Sequence, residues 1–284
     1  MKRTIIGITI LFLFASCKNE KKPIVSAVFI DSLISHYSQP EIYTTNETDL
    51  QFWKNRLDPK NPGLVSELKY AAALIQRFHL SGDINDVITA DSILYVADKT
   101  FNHTESSPNM ALVRNSMLQH RFTQADSLLD EAKKTDVKPY DAITTSFDVD
   151  FELGRYQFAE AALQKITDYK DYGFNFRLAK LAHYKGELDS SIAAMQRASI
   201  IAGKDIYLKQ AALSNKADLY LHSGDLQKAN DLYVESIRLS TADLHSLMGL
   251  GWIALVHDKN DSLAEKIFIF VRSKTKSPDV VFKL

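Results

Sequence analysis

Gly154-Arg155-Tyr156-Gln157-Phe158-Ala159-Glu160-Ala161-Ala162-Leu163 is the stretch that decides the fold, because its outline returns along most of the chain. In the same register Gly186-Glu187-Leu188 precedes Ser191, Gly224-Asp225-Leu226 precedes Ala229, and His120-Arg121-Phe122 precedes Ala125. With Ala90 and Ala264 these small residues make six anchors, spaced 35, 34, 32, 38 and 35 residues apart. The glycine offers the left-handed backbone that ends one helix, and the residues after it start the next. A small side chain three residues into that second helix lets the paired helices approach closely. Apolar residues then follow at helical spacing, Leu163 and Ile166 after Ala159, Tyr233 and Ile237 after Ala229. A unit of this length cannot bury its apolar face alone and must stack on copies of itself, which predicts an elongated solenoid.

Gly-x-Tyr/Leu-x-x-Ala with a large apolar residue four positions on, at this period, resembles the second half of a tetratricopeptide repeat, over roughly residues 64–272. The resemblance implies an all-α chain: a right-handed superhelical solenoid of antiparallel helix pairs, about six repeats long, with capping helices over 24–63 and 273–284. The chain departs from the family pattern in places. The first-helix tryptophan and glycine are mostly missing, Ser191 stands for an alanine, and the sixth turn reads Lys259-Asn260-Asp261. Ala90 lies eight residues beyond Gly82, which predicts about three extra residues in the first turn. Even so, Ala90-Asp91-Ser92-Ile93-Leu94 and Ala125-Asp126-Ser127-Leu128-Leu129 are near copies.

Proline placement supports a helical chain. All 7 prolines fall between the predicted helices, where a missing N–H does no harm, and none interrupts 140–277. There is no sustained apolar-polar alternation and no Asn-Gly or Asp-Gly hairpin turn. Val25 to Tyr37 reads as an amphipathic helix presenting Val25, Val28, Phe29, Leu33 and Tyr37 on one face, suited to capping the stack. Ser38 to Asp49 reads as a polar loop leading to a helix with Phe52, Trp53 and Leu57. Ser277-Pro278-Asp279 has the form of a helix start near the carboxyl end.

At the amino terminus Lys2 and Arg3 precede an apolar run from Ile5 to Phe14 and then Ala15-Ser16-Cys17, the layout of a secretory leader over 1–16. Ten apolar residues are too few for a bilayer-spanning helix, which needs about 20. Phe14-Ala15-Ser16-Cys17 resembles a bacterial lipobox. That resemblance implies diacylglycerol attachment at Cys17, the sole cysteine, a tether over 17–23, and a bacterial cell-envelope location, where Lys18 in place of an aspartate after the cysteine favours the outer membrane.

Lys plus Arg number 34 and Asp plus Glu 35; without Lys2 and Arg3 the balance is 32 against 35, or −3. No basic stripe speaks for nucleic acid. No P-loop, G-x-S-x-G elbow or H-E-x-x-H is present, so no catalytic residue, cofactor site or metal site is assigned. Gly249-Leu250-Gly251-Trp252-Ile253-Ala254 mimics a dinucleotide fingerprint but falls inside a predicted helix, so its glycines read as close-packing positions. His79 and His183 fall at one repeat position and His222 and His257 at the next, a column along the inner surface. On neighbouring helices ~8 to 10 Å apart they are not expected to converge on an ion. Asp31-Ser32-Leu33, Asp91-Ser92-Ile93, Asp126-Ser127-Leu128 and Asp261-Ser262-Leu263 resemble a bacterial O-glycosylation motif, but repeat duplication also explains three of them.

In tetratricopeptide proteins the first helices line a concave groove for a peptide or partner helix. By position, that groove takes Arg114 and Met117, then Asp148, Phe151 and Glu152, then Phe176, Lys180, His183 and Tyr184, then Asp218, Leu221 and His222. Aromatic anchors among mixed charges suit protein recognition. The expected function is a membrane-anchored scaffold or adaptor for another protein, not an enzyme; the alternative is a groove for a small ligand, glycan or metal.

Overall fold

The computed structural model describes residues 22–277, and among them every regular element is an α-helix. The order is α1 (Ala27–Ser35), α2 (Glu41–Lys54), α3 (Leu64–Ser81), α4 (Ile84–Thr100), α5 (Ser106–Leu118), α6 (Phe122–Ala132) and α7 (Pro139–Glu152). There follow α8 (Tyr156–Leu163), α9 (Tyr172–Tyr184), α10 (Leu188–Ala202), α11 (Ile206–Ser223), α12 (Leu226–Leu239), α13 (Leu244–Val256) and α14 (Asp261–Lys274). From α3 to α14 they form six consecutive pairs, each packed on the next.

The anchors do what their size suggests. Ala90, Ala125, Ala159, Ser191 and Ala229 are 0% exposed and Ala264 is 1% exposed, so each sits where two helices press together. Ser191 fits because its hydroxyl donates a 2.7 Å hydrogen bond to the Ala179 carbonyl, leaving no orphaned polar atom. The turns share one backbone solution. Gly82, Gly154, Gly186 and Gly224 have φ between 71° and 83°, while His120 and Lys259 take φ 54° at the same points of their own turns. A side chain in that region is strained, and the neighbouring repeats hold it there. Ion pairs lace successive repeats: Asp91 accepts from Arg121, and Asp126 takes both terminal nitrogens of Arg155, at 2.8 and 2.6 Å. The Asp-Ser triplets of the first two repeats therefore supply inter-repeat rungs. Gly249 and Gly251 lie inside α13, where an added Cβ would come within 2.3 Å of the Tyr233 and Phe268 rings respectively. These are close-packing glycines.

The ends of the stack meet. Helix α1 does not sit beside α2 at the start of the array. Val25 and Ile30 enter the core formed by Tyr233, Leu247, Leu250 and Ile267, with Phe29, Leu33, Ile34 and Tyr37 packed against it. The Asp258 carboxylate, in the α13–α14 turn and 1% exposed, accepts the backbone N–H groups of Ile24 and Val25 at 2.9 Å each. Tyr37 meets Phe270 edge to face. The chain then crosses to the first repeat, where the Tyr43 hydroxyl donates to the Leu80 carbonyl and the Asn46 amide to the Ala73 carbonyl. A second join closes the same seam: Lys276 N–H donates to the Ser81 carbonyl at 2.7 Å, and Lys276 Nζ pairs with Asp83 at 2.8 Å.

Several expectations are corrected. The first turn carries no extra residues: α4 begins two residues after Gly82, and the additional three lengthen α4 by nearly one turn, which keeps Ala90 facing α3. The polar stretch from Ser38 is mostly helix, because Pro40 opens α2 and its contact face, Tyr43, Asn46 and Leu50, buries polar groups that find partners; α2 ends at Lys54, so Leu57 lies beyond it and not within it. Val28 is 79% exposed and Ile30 takes its place in the core. Pro108 lies within the first turn of α5, where its missing N–H has no helical partner to lose. The leader, Cys17 and residues 278–284 lie outside the described residues, and 273–274 complete α14.

Candidate functional site

The first helices of successive pairs line an inner face, and one cavity of about 830 Å³ lies along it. Its two sides differ chemically. Leu68, Ala71, Ala72 and Ile75 of α3, Leu94 of α4, and Ala111, Met117 and Leu118 of α5 make an apolar wall. Tyr140, Asp141, Thr144, Thr145 and Asp148 of α7, Arg177 and Lys180 of α9, and Tyr207 of α11 make the polar one. Small residues at Ala71, Ala72 and Ala111 give the apolar side its depth, since any larger side chain there would project into the space.

The charges are mostly paired. Arg177 grips Asp148 through two nitrogens, at 3.0 and 2.6 Å, and also donates to the Gly173 carbonyl. Lys180 pairs with Glu152 at 2.6 Å and lies 4.5 Å from the Phe151 ring centroid. Arg114, on α5 beside the apolar wall, reaches Asp141 only at 3.7 Å with 58% of its side chain exposed, against 20% for Arg177 and 36% for Lys180, which leaves it the lining cation most available to a ligand. The Tyr140 hydroxyl donates to Asp171 at 2.5 Å; burial and that carboxylate push the phenol up to about 12. His79 also lines the cavity, and partial desolvation there lowers its imidazole pKa.

Of the twelve groove residues expected from position, Arg114, Met117, Asp148 and Lys180 line this cavity. Glu152 supports it from behind through Lys180. The others lie elsewhere. Phe151 stacks on Phe147 in an interhelical core, and Phe176 stacks on Tyr172 in the next one. Tyr184 stacks on Tyr156 with centroids 3.6 Å apart. Leu221 packs into the terminal core, and Asp218 is taken by the Tyr233 hydroxyl and His245. His183 and His222 were expected to stay apart; instead the helices splay little enough for the rings to touch, His222 Nδ1 lying 2.9 Å from His183 Nε2. Apart from His79, placed on the inner surface by its repeat position, the α3 wall was missed, although Leu68, Ala72, Ile75 and His79 recur at three or four residue intervals along one stripe.

Among the described residues no group of three or more His, Cys, Asp or Glu side chains converges on a metal position, and no helix is long and apolar enough to cross a membrane.

No family model matches the chain, and no curated protein matches it. Solved structures do. A chain of the APC/C hetero-tetramer Cut9-Hcn1 superposes with a TM-score of 0.58 at 15% identity over 90% of this chain and 47% of its own. Yeast Tom70 gives 0.56 at 16% identity over 86% of this chain and 60% of its own. A STAND-class signal transduction ATPase with a tetratricopeptide repeat sensor, from Pyrococcus horikoshii, gives 0.55 at 16% identity over 90% and 44%. The chain thus spans between 44% and 60% of the length of these three proteins. Six stacked helix pairs, anchors buried at the repeat positions and these superpositions agree: the chain folds as a solenoid of the tetratricopeptide-repeat type.

Proposed function

We propose that this protein is a scaffold that holds a segment of another protein in the inner cavity, and that a lipid on Cys17 tethers it to a bacterial cell envelope at the outer membrane. The observation that carries the reading is the cavity itself: an apolar wall across from a wall of hydroxyls and charges, both on rigid helices. Such a site favours an amphipathic segment, burying its apolar side against Ile75 and Met117 while its polar side meets Arg114 and Thr144. No residue of the cavity is assigned a catalytic task. The fold fits an adaptor role, since stacked repeats present an extended surface without chemistry of their own.

A second reading has one observation in its favour. Tyr207 of α11 faces the same space as Leu68 of α3, so the cavity is bounded across the curve of the solenoid, and its volume lies in the range of small-ligand sites, about 300 to 1,000 Å³. Ala72→Arg and Arg114→Glu separate the readings. For a protein partner, both substitutions reduce recovery of the same crosslinked partner and leave the circular dichroism unchanged. For a small ligand, native mass spectrometry of the wild-type protein shows a bound compound that Ala72→Arg removes. Neither effect in either assay would exclude the cavity as the functional site. The anchor is tested separately: Cys17→Ser is expected to move the protein from the membrane fraction to the soluble fraction and to abolish incorporation of labelled palmitate.

A further inference from the structure

We propose that His183 and His222 form a two-point chelate for a late first-row divalent cation, Ni2+ or Cu2+ ahead of Zn2+, at the turn-side rim of the inner face. His183 Nε2 and His222 Nδ1 come from the last turns of α9 and α11 and lie 2.9 Å apart, with ring centroids at 4.9 Å. Two imidazole nitrogens bound to one metal at ~2.05 Å and 2.9 Å apart subtend an angle of about 90°. That is the angle between adjacent ligands of a square-planar or octahedral ion. A tetrahedral ion would need the nitrogens ~3.3 Å apart at the same bond length. A bite held near this separation as the rings turn favours the Cu2+ and Ni2+ geometries.

The surroundings support a cation. Both histidines stand at helix C-termini, where the unpaired carbonyls carry partial negative charge. The lysines flanking His183 in the chain are paired: Lys180 with Glu152 at 2.6 Å and Lys185 with Glu160 at 2.7 Å. In the absence of metal, the contact uses one ring as donor and the other as acceptor. With metal, each ring turns its lone pair to the ion and keeps its proton on the far nitrogen. The pair lies open to solvent, so water fills the remaining positions, and one of them is free for a donor atom of a bound partner.

The test is calorimetric titration of the folded chain with NiCl2 and ZnCl2 at pH 7.5, using wild type, His183→Ala, His222→Gln and, as control, His36→Ala at the C-cap of α1. One Ni2+ site is expected in wild type and in His36→Ala, weakened about tenfold or more in each of the other two because one-point binding loses the chelate advantage. Helical circular dichroism is expected to be identical in all four. The Cu2+ adduct should show coupling to two imidazole nitrogens by electron paramagnetic resonance. Equal Ni2+ affinity in wild type and His183→Ala, or coupling to a single nitrogen, would overturn the site. Zn2+ binding tighter than Ni2+ would overturn its geometry.

Discussion

Replacing Asp258 with alanine strikes the seam where the two ends of the chain meet. Its carboxylate is 1% exposed and accepts N–H groups from Ile24 and Val25, residues more than 230 positions away. A hydrogen bond to a charged acceptor contributes about 1.5 to 3 kcal/mol, so two amount to about 3 to 6 kcal/mol if α1 were forced to stay in place. The strap has an easier course. Its docking rests on Val25 and Ile30, fully buried at about 1.5 to 3 kcal/mol each, plus partial burial of Phe29, Leu33, Ile34 and Tyr37. Against this stands ordering entropy of about 1 to 2 kcal/mol per residue. Over the whole strap that entropy is at least as large as the apolar gain, so its docking depends on the bonds that Asp258 supplies. Asp258→Ala is therefore expected to release α1 while the repeats stay folded. Hydrogen exchange read by mass spectrometry should show the amides of 26–36 exchanging as in an unfolded chain, with α5 to α12 unchanged. Asp258→Asn, which keeps one acceptor oxygen, should fall between. Wild-type protection of α1 in Asp258→Ala would refute the clasp.

Gly249→Ala places a methyl within 2.3 Å of the Tyr233 ring and should cost about 1 to 3 kcal/mol, seen as a lowered urea midpoint; an unchanged midpoint would show that α13 is less tightly seated than described. Lys259→Gly should stabilise by about 1 kcal/mol, since it removes a side chain held at φ 54°; a loss of stability would mean the lysine makes a contact worth more than the strain. Lys216 is 8% exposed, and burial lowers its ammonium pKa below the usual 10.5. A base with a lowered native pKa penalises folding at all pH values below that pKa, and the penalty fades as the pH climbs towards 10.5. Lys216→Met should thus raise the melting temperature at pH 7, with the gain narrowing towards pH 10; a gain independent of pH would place its origin in packing instead.

Periodic features were legible from the residues because they report one local rule applied repeatedly. A small anchor after each turn fixes the helix pair, and glycine or a strained His120 or Lys259 fixes the turn. What escaped was anything set by three-dimensional closure. Nothing in Val25 to Ile34 says that the helix will pack on the last repeat and not the first, since its apolar face suits any greasy groove. The first half of helix α2 was hidden because Asn46 and Tyr43 do their work with polar atoms whose partners lie 27 and 37 residues on. In the site, aligning repeats by anchor found α5, α7, α9 and α11 and four of the lining residues, but carried the rest of the groove past the cavity. The cavity runs beside Tyr140, Thr144 and Asp148 on α7, while Phe151 one turn later is committed to packing on Phe147.

The central claim is that partners are received on the inner face. Photo-crosslinking in the native host tests it most directly, with a photoreactive phenylalanine analogue at Ala72 and Arg114 inside and at Ile88 and Lys133 outside. The account predicts a discrete adduct from the two inner positions and none from the outer ones. Adducts from Ile88 or Lys133 with nothing from Ala72 and Arg114 would contradict it.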